Sequence, residues 1–196
     1  MKKRGSLFVV SGPSGVGKGT IINELFRTTD DLFYSISVTS RLPREGERDG
    51  VNYFFVTQDK FKLMIEADEF LEWAHVYSNY YGTPRKFVEE QLDLGKDVIL
   101  EIDIQGSLQV KRKFPEGIFI FILPPSLEEL EARIRGRGTE REEQIQERFQ
   151  QAAAEIAYKS YYNYHIINDQ LAAAVNKIKA VVLAERCRNN EVKEIK

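Results

Sequence analysis

The chain has 196 residues, of which 42% are hydrophobic and 30% charged, a composition typical of a folded globular protein rather than a disordered or fibrous one. The formal net charge is -2, so no overall basic field favours a nucleic acid or an anionic membrane as a partner. The single cysteine, Cys187, excludes an intrachain disulfide, and the apolar run near the N-terminus is too short for a signal peptide or a membrane span. We therefore expect a cytoplasmic protein.

The first part of the chain predicts a strand, a loop and a helix. Residues 7–10 form a continuous apolar run that stops at Ser11 and Gly12, as a buried parallel strand does. Apolar residues within 20–26 then recur at helical spacing. A second strand is predicted over 34–38, before a polar and turn-rich passage.

The middle of the chain predicts a strand over 53–56, then a helix that Thr57 caps. A longer strand is predicted over 70–77. Thr83 then has the position of an N-cap, with proline at the first position of a helix over 84–94.

The remaining chain alternates strands with helices. Strands are predicted over 98–104, 118–123 and 164–167, and helices around Leu108, from Ser126, from Thr139 and over 171–187. This alternation favours an α/β protein with a parallel sheet covered by helices on both faces.

The alternation is interrupted twice within a single predicted domain, 1–196. A hairpin-like, polar passage predicts an inserted lobe over 37–83, and an Arg- and Gly-rich passage predicts a mobile lid over 126–143. The core is then expected to comprise 1–36, 84–125 and 144–196.

A glycine-rich loop follows the first strand and opens the first helix. It consists of Gly12, Pro13, Ser14, Gly15, Val16, Gly17, Lys18, Gly19 and Thr20. Small residues let successive backbone N–H groups point at a phosphate, the helix N-terminus favours negative charge, and the lysine adds a cation. A plain glycine-rich turn is the alternative, but the lysine at this offset and the strand–loop–helix frame favour a triphosphate site, with ATP as the donor.

The loop departs from the usual pattern at one residue. Ser or Thr commonly follows the lysine as a Mg²⁺ ligand, but Gly19 stands there. Either Thr20 substitutes for it, or the ion is held mainly by ATP oxygens and water.

Further runs follow one another along nearly the whole chain. They read SVTSRLPREGERDGVNYFF (37–55), EFLEWA (69–74), NYYGT (79–83), EIDIQG (101–106), LPPS (123–126), RGRGTE (135–140) and ND (168–169). In this order they resemble the guanylate kinase family. The resemblance implies a P-loop NTPase-type fold with a GMP-binding lobe and a lid, and ATP-dependent phosphorylation of GMP, and of dGMP, with Mg²⁺.

The resemblance also implies the residues that hold the GMP phosphate: Arg41, Arg44, Tyr53 and Tyr81. Planar guanidinium groups bind a phosphate bidentately, and tyrosine hydroxyls add donors. The alternative is a solvated charged loop with tyrosines packed in the lobe.

Guanine presents N–H donors at N1 and N2 and an acceptor at O6. By resemblance, Glu72 and Asp103 accept from the donors, and Ser37 and Thr83 lie near O6. Asp103 could instead contact the water shell of the metal or orient Lys18. Thr83 could simply cap a helix, and Glu101 could support the phosphate or Mg²⁺ site through water.

The remaining implied residues lie in the lid and in the chain that follows it. Arg133, Arg137 and Arg148 are candidates for clamping the ATP phosphates together with Lys18, although Arg133 could merely pair with a neighbouring glutamate. Lys18, Arg41, Arg137 and Arg148 form the predicted catalytic set, and Asn168 and Asp169 are expected near the ATP base. The acceptor phosphate is already ionised, so no general base is expected.

Two rival functions remain. A kinase for AMP could share the phosphate loop, but the Arg41–Tyr53 run and the acids Glu72 and Asp103 argue against it. A non-catalytic scaffold module similar to guanylate kinase would typically lack an intact loop and lid, which this chain keeps. Nothing in the sequence decides between a monomer and a homo-oligomer.

Overall fold

The computed structural model describes residues 4–76, 78–136 and 141–188. The first elements are β1 (Leu7–Ser11), α1 (Lys18–Arg27) and β2 (Leu32–Tyr34). They are followed by β3 (Val38–Thr39), β4 (Phe54–Phe55), α2 (Gln58–Glu66), β5 (Phe70–Val76) and β6 (Asn79–Pro84). The remaining elements are α3 (Arg85–Asp93), β7 (Asp97–Glu101), α4 (Ile104–Lys113), β8 (Ile118–Leu123), α5 (Leu127–Arg135), α6 (Glu142–Glu155), a 3₁₀ helix (Ile156–Tyr161), β9 (Tyr164–Ile167) and α7 (Leu171–Cys187).

The strands form two sheets. The large sheet has five strands in the order β2-β7-β1-β8-β9, and every pairing in it is parallel. The small sheet has four strands in the order β4-β3-β6-β5, with antiparallel pairing on both sides of β6. The predicted fold class, an α/β protein with a helix-flanked parallel sheet, is confirmed.

The central strand β1 shows why the large sheet is covered on both faces. All five of its residues are buried. Because side chains alternate along a strand, Phe8 and Val10 join one apolar cluster with α1 and α7, whereas Leu7 and Val9 join a second cluster with α3 and α4. Two separate cores therefore fix this strand, and with it the loop that leaves its carboxyl end.

The small sheet has an apolar core of its own. Val38, Phe61 and Phe70 are buried there, and the Phe61 ring stacks on Phe70 with the ring centroids 4.4 Å apart. The Thr57 side chain caps α2 by accepting from the N–H of Lys60, as predicted.

Several sequence predictions about elements were wrong. The strand predicted over 34–38 divides into β2 and β3, which belong to different sheets. The strand β6 was not predicted, because its glycine and terminal proline disfavour a strand while pairing with β5 stabilises it. The strand β7 ends at Glu101 rather than 104.

One predicted helix cap was also wrong. Thr83 belongs to β6, and Pro84 is the N-cap of α3. Helix α6 begins at Glu142 with Arg141 as its N-cap, and the predicted start at Thr139 lies outside the described residues. Ser126 does cap α5 through the N–H of Glu129, as predicted. Among the described residues, no helix has both the length and the apolar character needed to cross a membrane.

Candidate active site

The phosphate loop, residues 12–20, leaves the carboxyl end of β1 and enters α1. Its backbone shape requires glycine, most clearly at Gly12 and Gly17. Gly12 has a φ of 150°, and a Cβ there would lie 2.4 Å from the Ile122 carbonyl oxygen. Gly17 has a φ of 93°, and a Cβ there would lie 2.8 Å from Nδ2 of Asn168. The loop therefore keeps its curve only while these residues lack side chains.

Lys18 lies across this loop at the start of α1. Its Nζ donates to the carbonyl oxygens of Gly12 at 2.5 Å and Pro13 at 3.2 Å. The loop opens on a cavity of about 280 Å³ lined by Ser14, Gly15, Gly17, Lys18, Gly19, Thr20 and Glu101. A helix N-terminus with a lysine at the mouth of such a cavity is suited to binding a polyphosphate.

Two residues far along the chain support the loop from behind. The buried Asn168, which follows β9, donates its side-chain amide to the Val16 carbonyl oxygen at 2.8 Å. Arg133 of α5 donates to the Asn168 carbonyl oxygen at 3.0 Å and to that of Val16 at 3.3 Å. Arg133 also pairs with Glu129 at 2.9 Å, so the glutamate pairing considered from the sequence is present alongside the contacts to the loop.

Helix α6 reaches the outer side of the loop at Ser14. Arg148 donates to the Ser14 hydroxyl at 3.2 Å, and the Glu155 carboxylate accepts from the Ser14 backbone N–H at 3.1 Å. Sequence reasoning missed Glu155, and the only signal for it is its position two helical turns after Arg148.

The predicted lid residue Arg137 lies outside the described residues, as do Thr139 and Glu140.

Glu101 ends β7 between the loop and the small sheet. A Cβ built on Gly19 would lie 3.4 Å from Oε1 of Glu101, so the carboxylate faces the space that the missing side chain leaves. Burial raises the pKa of Glu101, and the charge of Lys18 opposes that rise. Thr20 is exposed on the wall of the same cavity. Glu101 and Thr20 thus both place side-chain oxygen atoms on the lining of this cavity.

A second group of polar residues lies where β5 and β6 meet helix α4. Glu72 and Thr83 are opposite each other in the two strands, and the Thr83 hydroxyl donates to Oε1 of Glu72 at 2.6 Å. Glu72 is only 5% exposed. Burial raises the pKa of Glu72 to about 7. The hydrogen bond from Thr83 acts to lower this pKa, and the negative charge of Asp103 acts to raise it.

Gly106 makes room for this carboxylate on the surface of α4. A Cβ there would lie 2.6 Å from Oε2 of Glu72 and 3.3 Å from Oδ1 of Asp103. Asp103 is exposed and caps α4, accepting from the N–H of Gly106 at 2.7 Å. The structure thus brings the two predicted base-reading acids close to the same glycine.

A third group lies on the small sheet and the loop before it. The Arg41 guanidinium carbon lies 5.4 Å from the ring centroid of Tyr53, and the Tyr53 and Tyr81 centroids lie 6.1 Å apart. The Nε of Arg41 is buried and, within the described part of the chain, has no hydrogen-bond partner. A buried guanidinium N–H without an acceptor is costly, so this group points to a ligand oxygen.

Glu47 organises this third group and was missed from the sequence. It accepts from both terminal nitrogens of Arg41, at 2.8 and 2.9 Å, and from the backbone N–H of Arg44 at 2.7 Å. The Arg41 hydrogen bonds and the Arg44 N–H lower the pKa of Glu47 to about 2, so the carboxylate stays ionised. The signal in the sequence for Glu47 was an acid six residues after Arg41.

Two other predicted GMP-binding residues lie in the same part of the chain. The Arg44 side chain is exposed. Ser37 is half-buried, and its backbone carbonyl oxygen accepts from the N–H of Phe54.

The phosphate loop and Glu101 lie at the carboxyl ends of the parallel strands β1 and β7, where ligands bind in open α/β sheets. This fold and its glycine-rich loop place the chain among the P-loop nucleotide-binding proteins. A family model described as guanylate kinase matches residues 4–185. The chain belongs to the guanylate kinase family.

Individual relatives agree with the family model over the full length. A guanylate kinase of Caldanaerobacter subterraneus subsp. tengcongensis is 58% identical over 195 residues, covering 100% of this chain and 95% of the relative. A guanylate kinase of Clostridium perfringens is 58% identical over 191 residues, covering 97% and 88%. The crystal structure of guanylate kinase from Anaplasma phagocytophilum superimposes with a TM-score of 0.76 at 33% identity, covering 95% of this chain and 89% of that one.

Proposed function

We propose that this chain transfers the γ-phosphoryl group of ATP to GMP, giving ADP and GDP in a reversible reaction in the cytoplasm. A phosphate oxygen of GMP forms a bond to the γ-phosphorus as the bond from that phosphorus to the ADP oxygen breaks. The observation that carries the acceptor assignment is the buried carboxylate of Glu72, placed with Thr83 and Asp103 around Gly106. The relatives named above support the reaction class.

Guanine fits this carboxylate because of the pattern on its pairing edge. An ionised Glu72 accepts from the N1–H and N2–H donors, whereas adenine offers an acceptor at N1 to the same oxygens. Asp103 lies on the same wall and adds a further acceptor, while the Thr83 hydroxyl and Ser37 are assigned to O6. A buried polar group that loses its partner is costly, so the wrong base is rejected.

The GMP phosphate is assigned to the group around Arg41. The buried Nε of Arg41 needs an acceptor, and the hydroxyls of Tyr53 and Tyr81 and the guanidinium of Arg44 can approach the same anion. Because every assigned contact is to the base or the phosphate, we include dGMP as an acceptor.

The transfer itself needs alignment and charge neutralisation more than covalent chemistry. The backbone N–H groups of Gly15 and of residues 17–20 are assigned to the donor phosphates. Lys18 leaves the loop carbonyls to bind the migrating group, and Arg133 steadies the loop. Arg148 and, by its place in the family motif, Arg137 are assigned to the same phosphates. Asn168, together with Asp169, is assigned to the side of the loop that faces the ATP base. The acceptor oxygen is already ionised, so no residue has to remove a proton.

Mg²⁺ is the expected cofactor, bound with ATP. It supplies charge neutralisation on the phosphate oxygens when bound. Thr20 and Glu101 line the cavity with oxygen atoms and are suited to contact the waters of such an ion. Gly19 offers no side-chain ligand at all, so the ion depends mainly on ATP and water.

The test is ADP release from Mg·ATP with GMP, dGMP, IMP, AMP, CMP or UMP offered in turn. We expect fast turnover with GMP and dGMP, slower turnover with IMP, which lacks the N2 donors, and none with the others. Turnover with AMP would keep the kinase class and contradict the assignment of Glu72 and Asp103. Binding of GMP without turnover of any nucleotide would instead indicate a scaffold module.

A further inference from the structure

The strand that carries Glu72 has an open side that the rest of its sheet does not cover. The strand β5 is at the edge of the small sheet, and among the residues that the structure describes only β6 pairs with it. Its pairing is also irregular next to Glu72. The register shifts between Phe70 and Glu72, and the residue opposite Phe70 is Pro84, which has no N–H to donate. Sheet pairing alone therefore holds Glu72 loosely at one end.

Helix α4 closes this open side through Gln109. The Gln109 side-chain oxygen accepts from the backbone N–H of Trp73 at 3.2 Å, and its amide nitrogen donates to the Trp73 carbonyl oxygen at 2.8 Å. One side chain thus replaces both hydrogen bonds that a neighbouring strand would make to this residue. Trp73 directly follows Glu72, so the two bonds fix the backbone from which the carboxylate projects.

The same face of α4 holds the strand on both sides of this point. Gly106, one turn before Gln109, lies directly against the Glu72 carboxylate. Lys113, one turn after it, donates to the Phe70 carbonyl oxygen at 2.8 Å and pairs with Asp68 at 3.0 Å. Residues three or four apart share one face of a helix, so these contacts act as one rigid support. The N-cap of this helix is Asp103, the second predicted base-reading acid.

We propose that Gln109 is a positioning residue for guanine recognition, which acts by fixing the direction of the Glu72 carboxylate relative to Asp103. The inference rests on the proposed function, because it assigns Glu72 to the guanine edge. Gln109 itself touches no substrate. Without Gln109 the Glu72 carboxylate is still present, but its direction is no longer fixed. It must accept from both N1–H and N2–H of guanine at hydrogen-bond distance, so a small shift weakens recognition.

The test compares the ratio of kcat/KM for GMP to kcat/KM for IMP in a set of full-length variants. IMP lacks the N2 amino group, so this ratio reports how well the carboxylate meets both donors. Gln109→Met keeps the length of the side chain and removes its amide. We expect it to lower the GMP-to-IMP ratio by about fivefold or more, while the KM for ATP changes by less than about twofold.

Gln105→Met is the matched control, because Gln105 is exposed on the same helix and receives the same substitution. Its GMP-to-IMP ratio should equal that of the unaltered chain. A purely structural role for Gln109 would lower the melting temperature and reduce the use of both nucleotides equally, leaving the ratio unchanged. An unchanged ratio in Gln109→Met would therefore overturn the inference.

The variant Glu72→Gln separates this inference from the function on which it rests. If Glu72→Gln lowers the ratio and Gln109→Met does not, only the role of Gln109 is wrong. If neither changes the ratio, or GMP is not a substrate, the proposed base recognition is wrong. In the double variant, the Gln109 change should add little, because the group that it positions is gone. Should Gln109→Met not fold, Gln109→Glu keeps one acceptor for Trp73, and an unchanged ratio there counts equally against the inference.

Discussion

The phosphate loop and the small sheet bind their ligands with different parts of the chain. The loop offers backbone N–H groups and one lysine, and its shape is set by glycines and by strand β1, which is buried on both faces. The small sheet offers side chains, above all Glu72, Thr83 and Arg41, on strands and loops that carry only a small core of their own. Backbone N–H groups bind the phosphates of any triphosphate, whereas a few side-chain atoms have to discriminate between bases. The difference teaches that the phosphate loop itself should tolerate substitution outside its glycines and lysine, whereas the acceptor site should depend on side-chain direction.

The largest effect is expected on the loop side, from Lys18→Ala. Lys18 is the only loop residue assigned a charge for the migrating phosphoryl group, so its loss removes stabilisation that exists mainly in the transition state. We expect kcat to fall by about 100- to 1000-fold, with GMP binding nearly unchanged. Steady-state kinetics and calorimetric titration with GMP measure the two effects.

Lys86→Ala is a suitable control for this variant, because the side chain of Lys86 is 91% exposed on α3. It should behave as the unaltered chain. Near-normal turnover in Lys18→Ala would remove the lysine from the mechanism, and a large loss of GMP binding would show that the two regions are not independent.

A smaller effect is expected on the sheet side, from Glu47→Gln. The neutral amide cannot accept from both Arg41 nitrogens and the Arg44 N–H, so the phosphate-binding loop loses its anchor. We expect the KM for GMP to rise about tenfold, while inhibition by guanosine, which has no phosphate, stays the same. Glu45→Gln, at an exposed neighbouring acid, serves as the control. A lower KM for GMP would instead show that Glu47 competes with the phosphate for Arg41.

A comparable effect is expected from pH, and again only on the sheet side. Burial raises the pKa of Glu72 to about 7, and guanine requires the ionised form. Binding should therefore weaken as pH falls through 7, by about tenfold between pH 8 and pH 6. Guanosine is the better probe, since the phosphate of GMP itself titrates near pH 6. Glu72→Gln should remove the dependence, and a flat profile in the unaltered chain would contradict the assignment.

The smallest effect is expected from Gly19→Ser, which restores the hydroxyl usually found after the lysine. The new Cβ would lie 3.4 Å from Glu101, an ordinary contact, and Gly19 is within helix α1. We expect activity within about fivefold of the unaltered chain and a lower Mg²⁺ requirement, measured by titrating Mg²⁺ at fixed ATP. Complete loss of activity would show that the position requires glycine for steric reasons.

The sequence predicted elements best where local patterns determine them. Helix α7 has the predicted limits, Leu171–Cys187, and strands β8 and β9 match as well. Prediction was wrong where tertiary pairing decides the structure. The strand β6 contains a glycine and ends in proline, and Thr83 bonds Glu72 across the sheet instead of capping the next helix.

The site divides in the same way. The phosphate loop was predicted residue by residue because its chemistry is contained in one short segment. Glu155 and Gln109 could not be found in the same way. Glu155 contacts Ser14, 141 residues away in the sequence, and Gln109 contacts Trp73, 36 residues away. Only the folded structure brings these pairs together. Glu47 lies six residues from Arg41, but its role depends on a turn that the sequence does not reveal.

The contact between α4 and β5 also affects the solubility of the molecule. An exposed edge strand offers unpaired N–H and C=O groups to other chains, and long edges are the usual sites of intermolecular pairing. The small sheet has one short edge, the two residues of β4, and one long edge, the seven residues of β5. The long edge is the one that Gln109 and Lys113 occupy. We therefore expect the helix that supports Glu72 also to lower the tendency of this sheet to pair with another chain.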